Sequence, residues 1–349
     1  MQKFYYGLDC LNEIIESNNF NNVLIVTDNN ILKTSFVSEA IKKLNVGYGV
    51  YTGFTPNPKL TEAEQALEYY QKGNFDSILA IGGGSALDVS KYVKLNAKTS
   101  LIAVPTTAGS GSESTRFAVI YDNGKKQSIN SLEIIPEFVV FEAKFLETLP
   151  EYQKKCTILD ALCHSIESFW SINSTEESKE IAARSINIIL NNYENYINNK
   201  SEVYNDIMLA SNLAGQAINI TQTTAGHALS YKLTSVFKIS HGHAVAVCLS
   251  KVWEFLNKNV ELCCDYRGKE YLLQTLCELN SIISLDKFNS IISYFKLEAP
   301  QFEDEAQLDM FVDSVNVERL GNFPIKLSSE NIKEIYTKIA GNTLTCNEC

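Results

Sequence analysis

Short apolar, β-branched runs punctuate the first part of the chain: NVLIVTD at 22–28, YGVYTGF at 48–54, SILAI at 77–81 and SLIAV at 100–104. Runs this short, separated by helix-length segments, predict parallel strands buried on both faces of an α/β sheet. FAVIY at 117–121 is followed by Asp122-Asn123-Gly124 and predicts an antiparallel hairpin, because Asn-Gly supplies the positive φ values of a tight turn. FVVF at 138–141 then returns towards the sheet. Past Pro150 the apolar positions recur every three to four residues, as in Ile158, Leu162, Ile166 and Phe169, while glycine and proline become scarce until residue 215. The pattern predicts an α/β domain over 1–149 and an all-α domain over 150–349.

Composition narrows the function classes. A chain of 349 residues with 45% hydrophobic content can bury the cores of two domains. Its 30 Lys plus Arg against 41 Asp plus Glu give a formal charge of −11, which repels nucleic acid and anionic lipid, so neither is expected as a partner. An anionic substrate then requires a local basic cluster. The opening MQKFYYGLDCLNEIIESNN lacks the features of a signal peptide, and no run reaches the roughly 18 apolar residues of a membrane span, which predicts a cytoplasmic protein. Nine irregularly spaced cysteines, including the adjacent Cys263 and Cys264, fit reduced thiols, and the Cys346/Cys349 pair at the terminus is expected to fray.

Two loops carry candidate phosphate chemistry. Gly82-Gly83-Gly84-Ser85 follows the run ending at Ile81 and precedes a helical pattern, so bare backbone and a helix N-terminus could receive a pyrophosphate. A tight turn needs the same glycines, and the G-x-G-x-x-G fingerprint is absent. The second loop, VPTTAGSGSE at 104–113, combines hydroxyls with small residues, and two such loops in one sheet favour a nucleotide.

Only four histidines occur: His164 alone, then His227, His241 and His243 within 17 residues. Asp160 and His164 stand four apart on a predicted helix and can share one ion. One aspartate with three imidazoles forms a mixed oxygen and nitrogen set suited to Fe(II) or Zn(II). A solvated Asp–His pair with satisfied core histidines is the competing reading for each residue singly; the set together favours a metal.

IGGGSALDVSK (81–91), VPTTAGSGSE (104–113), DALCHSIES (160–168) and AGHALSYKLTSVFKISHGHAVAV (225–247) stand in the order and approximate spacing of the iron-containing, or group III, alcohol dehydrogenases. FTPNPKL (54–60) and NVERLGNFPIKLSSENIKEIYTKIA (316–340) also resemble that family. The resemblance implies a dehydroquinate synthase-like fold with a dinucleotide-binding N-terminal domain. It implies a metal-dependent alcohol dehydrogenase or aldehyde reductase using NAD(P)H and Fe2+, with Zn2+ as the alternative metal. Asp160, His164, His227 and His241 fall on the metal-ligand positions. Gly83, Gly84, Ser85 and Asp88 fall on pyrophosphate and nicotinamide positions, and Thr106, Thr107, Lys126 and Asn57 on further cofactor positions.

Asp28 falls where the family faces the adenosine ribose, and a carboxylate there favours NAD(H) over NADP(H). His243, rotated by about 200° from His241 on a helix, is expected beside the substrate rather than on the metal. Tyr231 replaces a histidine carried by many relatives and is expected to relay a proton. Glu142, in Phe141-Glu142-Ala143 where relatives have Asp-Pro, is expected to be structural. The wording around 231–235 and 319–327 resembles phosphonoacetaldehyde reductases, with Lys232 as the substrate cation and Arg116 and Arg319 as further candidates. Relatives commonly form dimers, so a homo-oligomer is expected. Glycerol-dehydrogenase-like or dehydroquinate-synthase-like chemistry, or a non-catalytic nucleotide-binding scaffold, are the alternatives.

Overall fold

The computed structural model describes residues 2–123, 125–315 and 320–341; the side chain of Lys126 is outside that description, as are Gly124, Arg319, Cys346 and Cys349. By packing, the chain divides into two compact units, Met1–Leu149 with Asn198–Gly215, and Pro150–Ile197 with Gln216–Cys349.

The first unit runs β1 (Lys3–Tyr6), α1 (Leu11–Ser17), β2 (Asn22–Thr27), α2 (Asn29–Leu32), α3 (Ser35–Lys42), β3 (Gly47–Tyr51), α4 (Leu60–Lys72), β4 (Ser77–Gly82), α5 (Gly84–Ala97), β5 (Ser100–Pro105), β6 (Phe117–Asp122), β7 (Lys125–Asn130), β8 (Phe138–Phe141) and α6 (Lys144–Thr148). Six strands form one sheet in the order β1-β8-β5-β4-β2-β3, every neighbouring pair parallel. Strand periodicity explains why the central runs carry no polar alternation. Val23, Ile25, Leu79, Ile81, Ile102 and Val104 face α1 and α3, where Leu11, Ile14, Val37 and Ile41 meet them. Leu24, Val26, Ile78, Ala80, Leu101 and Ala103 face the other side, against Ala66 and Tyr70 of α4 and Leu87, Val89 and Val93 of α5. All twelve strand residues are fully buried, and each large aliphatic side chain so placed contributes about 1.5–3 kcal/mol.

β6 and β7 pair antiparallel from Phe117↔Asn130 to Asp122↔Lys125, as the hairpin pattern predicts. β1 is not visible in the hydrophobic pattern, because it is an edge strand with Phe4 and Tyr6 exposed. Glu142 is structural in its contacts: its carboxylate accepts from the Leu8 N–H (3.1 Å) and the Lys144 N–H (3.2 Å).

One segment packs differently from the sequence expectation, which assigned all of 150–349 to the helical domain. Residues 198–215, including the start of α9 (Tyr204–Thr221), belong to the first unit. The reason is a close backbone approach. Gly111, at φ +57, lies so near Gly215 that a Cβ on it would stand 2.5 Å from the Gly215 Cα, and Asn212 donates to Glu113 Oε1 (3.1 Å) and Ser114 Oγ (2.5 Å).

The second unit contains α7 (Glu151–Trp170), α8 (Glu176–Ile197), the end of α9, α10 (Ala225–Phe237), α11 (His241–Lys258), α12 (Lys269–Ile282), α13 (Leu285–Phe295), α14 (Glu305–Asp313) and α15 (Ser329–Ala340). α7 is its axis, packed by α8, α11 and α12. From Ile158 to Trp170 every residue of α7 is buried, on the polar face of Asp160, His164 and Glu167 as well as on the Ile158–Leu162–Ile166 stripe. A helix buried all round must provide partners for those polar groups inside the protein. No helix among the described residues is long and apolar enough to cross a membrane, and the seven described cysteines are free thiols.

Candidate metal centre and nucleotide-binding turn

In the first unit β2 lies between β3 and β4, so the strand order reverses at the β2/β4 pair. Open α/β sheets take ligands at such a switch point, outside the carboxyl ends of the strands. Thr27 pairs with Ile81, so the residues that follow them, Asp28 and the Gly82–Gly84 turn, stand side by side at that edge. Asp28 Oδ1 accepts from Asn30 N (2.8 Å) and Ile31 N (3.0 Å), a helix cap that fixes its carboxylate at the strand end.

The second loop lies directly against the glycine turn. Thr106 N–H donates to Gly82 O (3.1 Å), and a Cβ on Gly83 would meet Thr107 Oγ1 at 3.6 Å. Asn57, in the left-handed region at φ 59, donates its N–H to Ser85 Oγ (3.3 Å). The structure therefore brings together Gly83, Gly84, Ser85, Thr106, Thr107 and Asn57 from three separate loops. Asp88 follows one turn into α5, where burial and then its carboxylate raise the Tyr121 phenol above its ordinary pKa. Lys126 stands on β7, with its side chain outside the described residues.

Two charged residues inside these motifs escaped the sequence reading. Lys91 is fully buried with its Nζ at 2.7–3.2 Å from Ser112 Oγ, Thr115 O, Thr115 Oγ1 and Phe117 O. Burial lowers its pKa to about 8 against the pull of Asp88 and then Glu113, and raises that of Glu113 against its hydrogen bonds and the Lys91 charge. Lys91 thus ties the helix after the glycine turn to the loop beside it. Nothing in the sequence distinguishes it from a surface lysine.

In the second unit three helices bring the remaining candidates together. Asp160 Oδ1 on α7 lies 3.6 Å from His227 Nε2 on α10 and 4.0 Å from His241 Nε2 on α11. One donor atom from each falls within 4.8 Å of the others. His164 stands beside this set, its ring stacked on that of His227 with centroids 4.4 Å apart. Helical spacing suggested Asp160 and His164 as the natural pair; the compact donor set instead joins Asp160 to two residues distant in sequence.

The approach of α11 to α7 depends on Gly242. A Cβ there would fall 1.9 Å from the Cys156 carbonyl oxygen and 3.0 Å from Asp160 Cβ. The glycine between the two histidines is thus a packing requirement that lets His241 reach Asp160.

The donor set fits a divalent cation. Metal–ligand bonds of about 2.0–2.2 Å place neighbouring ligand atoms about 3–3.6 Å apart, near the spacings observed. Among the described residues neither Asp160 Oδ1 nor His227 Nε2 has a hydrogen-bond partner, although both are buried and face each other. Positive charge between them satisfies both. Without a cation a proton takes that role: although burial pulls the other way, Glu167 and Asp160 raise the His227 pKa to about 9. Burial also opposes ionisation of Asp160, yet the surrounding imidazoles hold its carboxyl well below the usual carboxylate range. Metal and proton compete for the same lone pair.

Tyr231, one turn past His227 on α10, stacks on His241 at 5.7 Å between centroids and 9° between planes. Lys232 is half-buried beside it. His243 lies outside the compact donor set: Nε2 lies 2.9 Å from the Glu298 carbonyl and Nδ1 3.1 Å from the Tyr152 hydroxyl, so both ring nitrogens are engaged within the protein. Arg116 lies in the first unit, against the Phe117 ring.

The model of the iron-containing alcohol dehydrogenase family matches residues 2–143, and the model of the Fe-containing alcohol dehydrogenase family, C-terminal, matches 155–273. The chain is 28% identical to alcohol dehydrogenase 4 of Schizosaccharomyces pombe, over 95% of this chain and 86% of that protein. It is 26% identical to long-chain-alcohol dehydrogenase 1 of Geobacillus thermodenitrificans, over 92% and 90%. The crystal structure of an iron-containing alcohol dehydrogenase from Thermotoga maritima matches with a TM-score of 0.84 at 25% identity, covering 97% of this chain and 98% of that one. The chain belongs to the iron-containing alcohol dehydrogenase family and is an oxidoreductase of alcohols and aldehydes.

Proposed function

We propose that this oxidoreductase reduces a small aldehyde with NADH around one divalent cation, Fe2+ or Zn2+, held by Asp160, His227 and His241 with His164 as the fourth ligand. The observation that carries the reading is the buried, facing Asp160 Oδ1 and His227 Nε2, 3.6 Å apart and without a hydrogen-bond partner among the described residues. Asp160, His227, His241 and His164 would hold the cation, which would supply Lewis-acid polarisation of a carbonyl oxygen, while the nicotinamide would supply the hydride.

The chain's own residues supply the setting. Asp160 and His227 exclude water by burial, while the His241 side chain, 39% exposed, leaves the centre open on one side. Tyr231 lies flat against that histidine, and the proposed role of its hydroxyl would be to supply a proton to the substrate oxygen. The glycine turn and its neighbours Ser85, Asp88, Thr106, Thr107, Asn57 and Lys126 form the proposed dinucleotide site, and the capped Asp28 carboxylate accepts a ribose 2′-hydroxyl while repelling a 2′-phosphate.

For the substrate we infer phosphonoacetaldehyde, reduced to 2-hydroxyethylphosphonate, with Lys232 as the cation for the phosphonate. Lys232 is rotated by about 100° from Tyr231 on α10, so its flexible stem must make the reach. A Lys232→Ala enzyme whose Michaelis constants for charged and uncharged aldehydes are both unaltered rejects that assignment. Likewise, unchanged turnover and pH profile in Tyr231→Phe reject the proton relay. The reading as a whole is tested by NADH oxidation with an aldehyde panel, comparing chelator-stripped enzyme with enzyme reloaded with Fe2+ or Zn2+; equal rates refute it. We further propose that the chain forms a homodimer, which sedimentation tests.

A further inference from the structure

Behind the donor set lies a carboxylate that the reading above does not use. Glu167, one turn past His164 on α7, has no exposed surface. Its Oε2 contacts His227 Nδ1, and its Oε1 accepts from Gly226 N–H (2.7 Å) and from Thr224 Oγ1 (2.5 Å). The Thr224 hydroxyl is itself oriented, since it accepts from Trp170 Nε1 (3.1 Å). Thr224 caps α10 and Gly226 lies in its first turn, so the carboxylate also occupies the end of that helix where negative charge is favoured. The glycine is needed for this contact: a Cβ on Gly226 would stand 3.0 Å from Glu167 Oε1.

We propose that Glu167 is a positioning residue that holds His227 as the Nδ1–H tautomer with its ring plane fixed, so that the Nε2 lone pair points at Asp160 and can ligate a cation. The inference rests on the metal reading of the site. A buried carboxylate with both oxygens engaged by donors accepts a proton-bearing nitrogen and rejects a lone pair. The ring proton is thereby assigned to Nδ1, and the metal-facing nitrogen is Nε2. The acid does not touch the cation, and its influence passes through one imidazole.

Glu167→Gln is the informative variant. The amide keeps a carbonyl for Gly226 and Thr224 but turns an NH2 towards Nδ1, which drives the ring proton to Nε2 and closes the ligand position. We expect stripped Glu167→Gln protein to remain folded, at a lowered unfolding temperature because a buried carboxylate is removed from beside His227, and to bind Zn2+, titrated against a chromophoric chelator, about 10–100-fold more weakly. A merely structural role gives the same lowered unfolding temperature with the Zn2+ affinity of the folded protein unchanged, and would overturn the proposal. A second readout needs no variant: with only four histidines in the chain, 15N imidazole spectra of Zn2+-loaded wild type resolve His227, and absence of a proton on its Nδ1 also overturns it. Wild type that takes up neither Zn2+ nor Fe2+ refutes the metal reading and this inference together. Wild type that binds Zn2+, Asp160→Asn that does not and Glu167→Gln that matches wild type refute this inference alone.

Discussion

The glycine turn of the first unit and the donor cluster of the second are made of opposite materials. The turn is backbone: Gly82 to Gly84 offer amides and space, the neighbouring loop touches them through Thr106 and Thr107, and Asn57 reaches the Ser85 that follows. The cluster is side chain: an aspartate and two imidazoles from three helices, with a buried carboxylate behind one of them. A backbone site tolerates change in its surroundings as long as the turn persists, whereas a side-chain site depends on every helix keeping its place. The two regions should therefore break in different ways.

The largest effect is expected at the cluster. Asp160→Asn removes the only anionic donor of the set, and turnover should fall on the order of 10³-fold, the scale of several kcal/mol of lost charge stabilisation. Retention of wild-type activity and metal content by that variant would show that the cluster is not the centre of the reaction. Next comes Gly242→Ala, whose Cβ would meet the Cys156 carbonyl at 1.9 Å. Backbone cannot move aside as a side chain can, so a loss of about 3 kcal/mol in urea unfolding, with weakened Zn2+ binding, is expected.

The first unit supplies the middle of the range. Because burial holds Lys91 at about 8 in the folded chain against 10.5 ordinarily, the unfolded chain binds more protons between those values. The stability Lys91 contributes therefore grows as pH rises through that window and is lost as pH falls through about 8. Wild type should gain about 2 kcal/mol relative to Lys91→Met between about pH 7.5 and about 9.5. A flat difference in denaturation midpoints would show that this buried amine is not depressed.

Smaller effects should sharpen the contrast. Gly83→Ala adds a Cβ with only ordinary contacts, the nearest at 3.6 Å, so the unfolding temperature should hold while the Michaelis constant for NADH rises roughly tenfold, about 1.4 kcal/mol. Loss of fold with Gly83→Ala would erase the distinction between the regions. Asp28→Ser keeps a helix-capping oxygen and removes the charge; the proposed preference for NADH over NADPH should narrow by a few-fold to about tenfold.

Local signals made much of this legible. The strands at 22–27, 77–82 and 100–105 announced themselves because burial on both sheet faces demands unbroken apolar runs. The glycine turn was legible for a related reason, since a backbone site writes its requirement into consecutive residues. Edge strand β1 was not legible, because its exposed aromatic residues carry no burial pattern. Glu167 and Lys91 were missed because charged residues on helices are solvated by default, and only packing reveals that these two are not. Helical rotation set His243 apart from the metal-ligand positions, but the Tyr152 and Glu298 partners of its ring are visible only in the packed structure.

By itself the sequence determined the two-part architecture, the central strands, the glycine turn and the roster of histidines, since these follow from local periodicity, backbone freedom and family motifs. Tertiary structure decided that 198–215 packs with the α/β unit, that Asp160 gathers His227 and His241 while His164 stacks beside them, and that Glu167 backs His227. Those outcomes depend on how closely helices can approach, and a helix's closest neighbours are set by small residues such as Gly111, Gly215 and Gly242, whose partners lie far away along the chain.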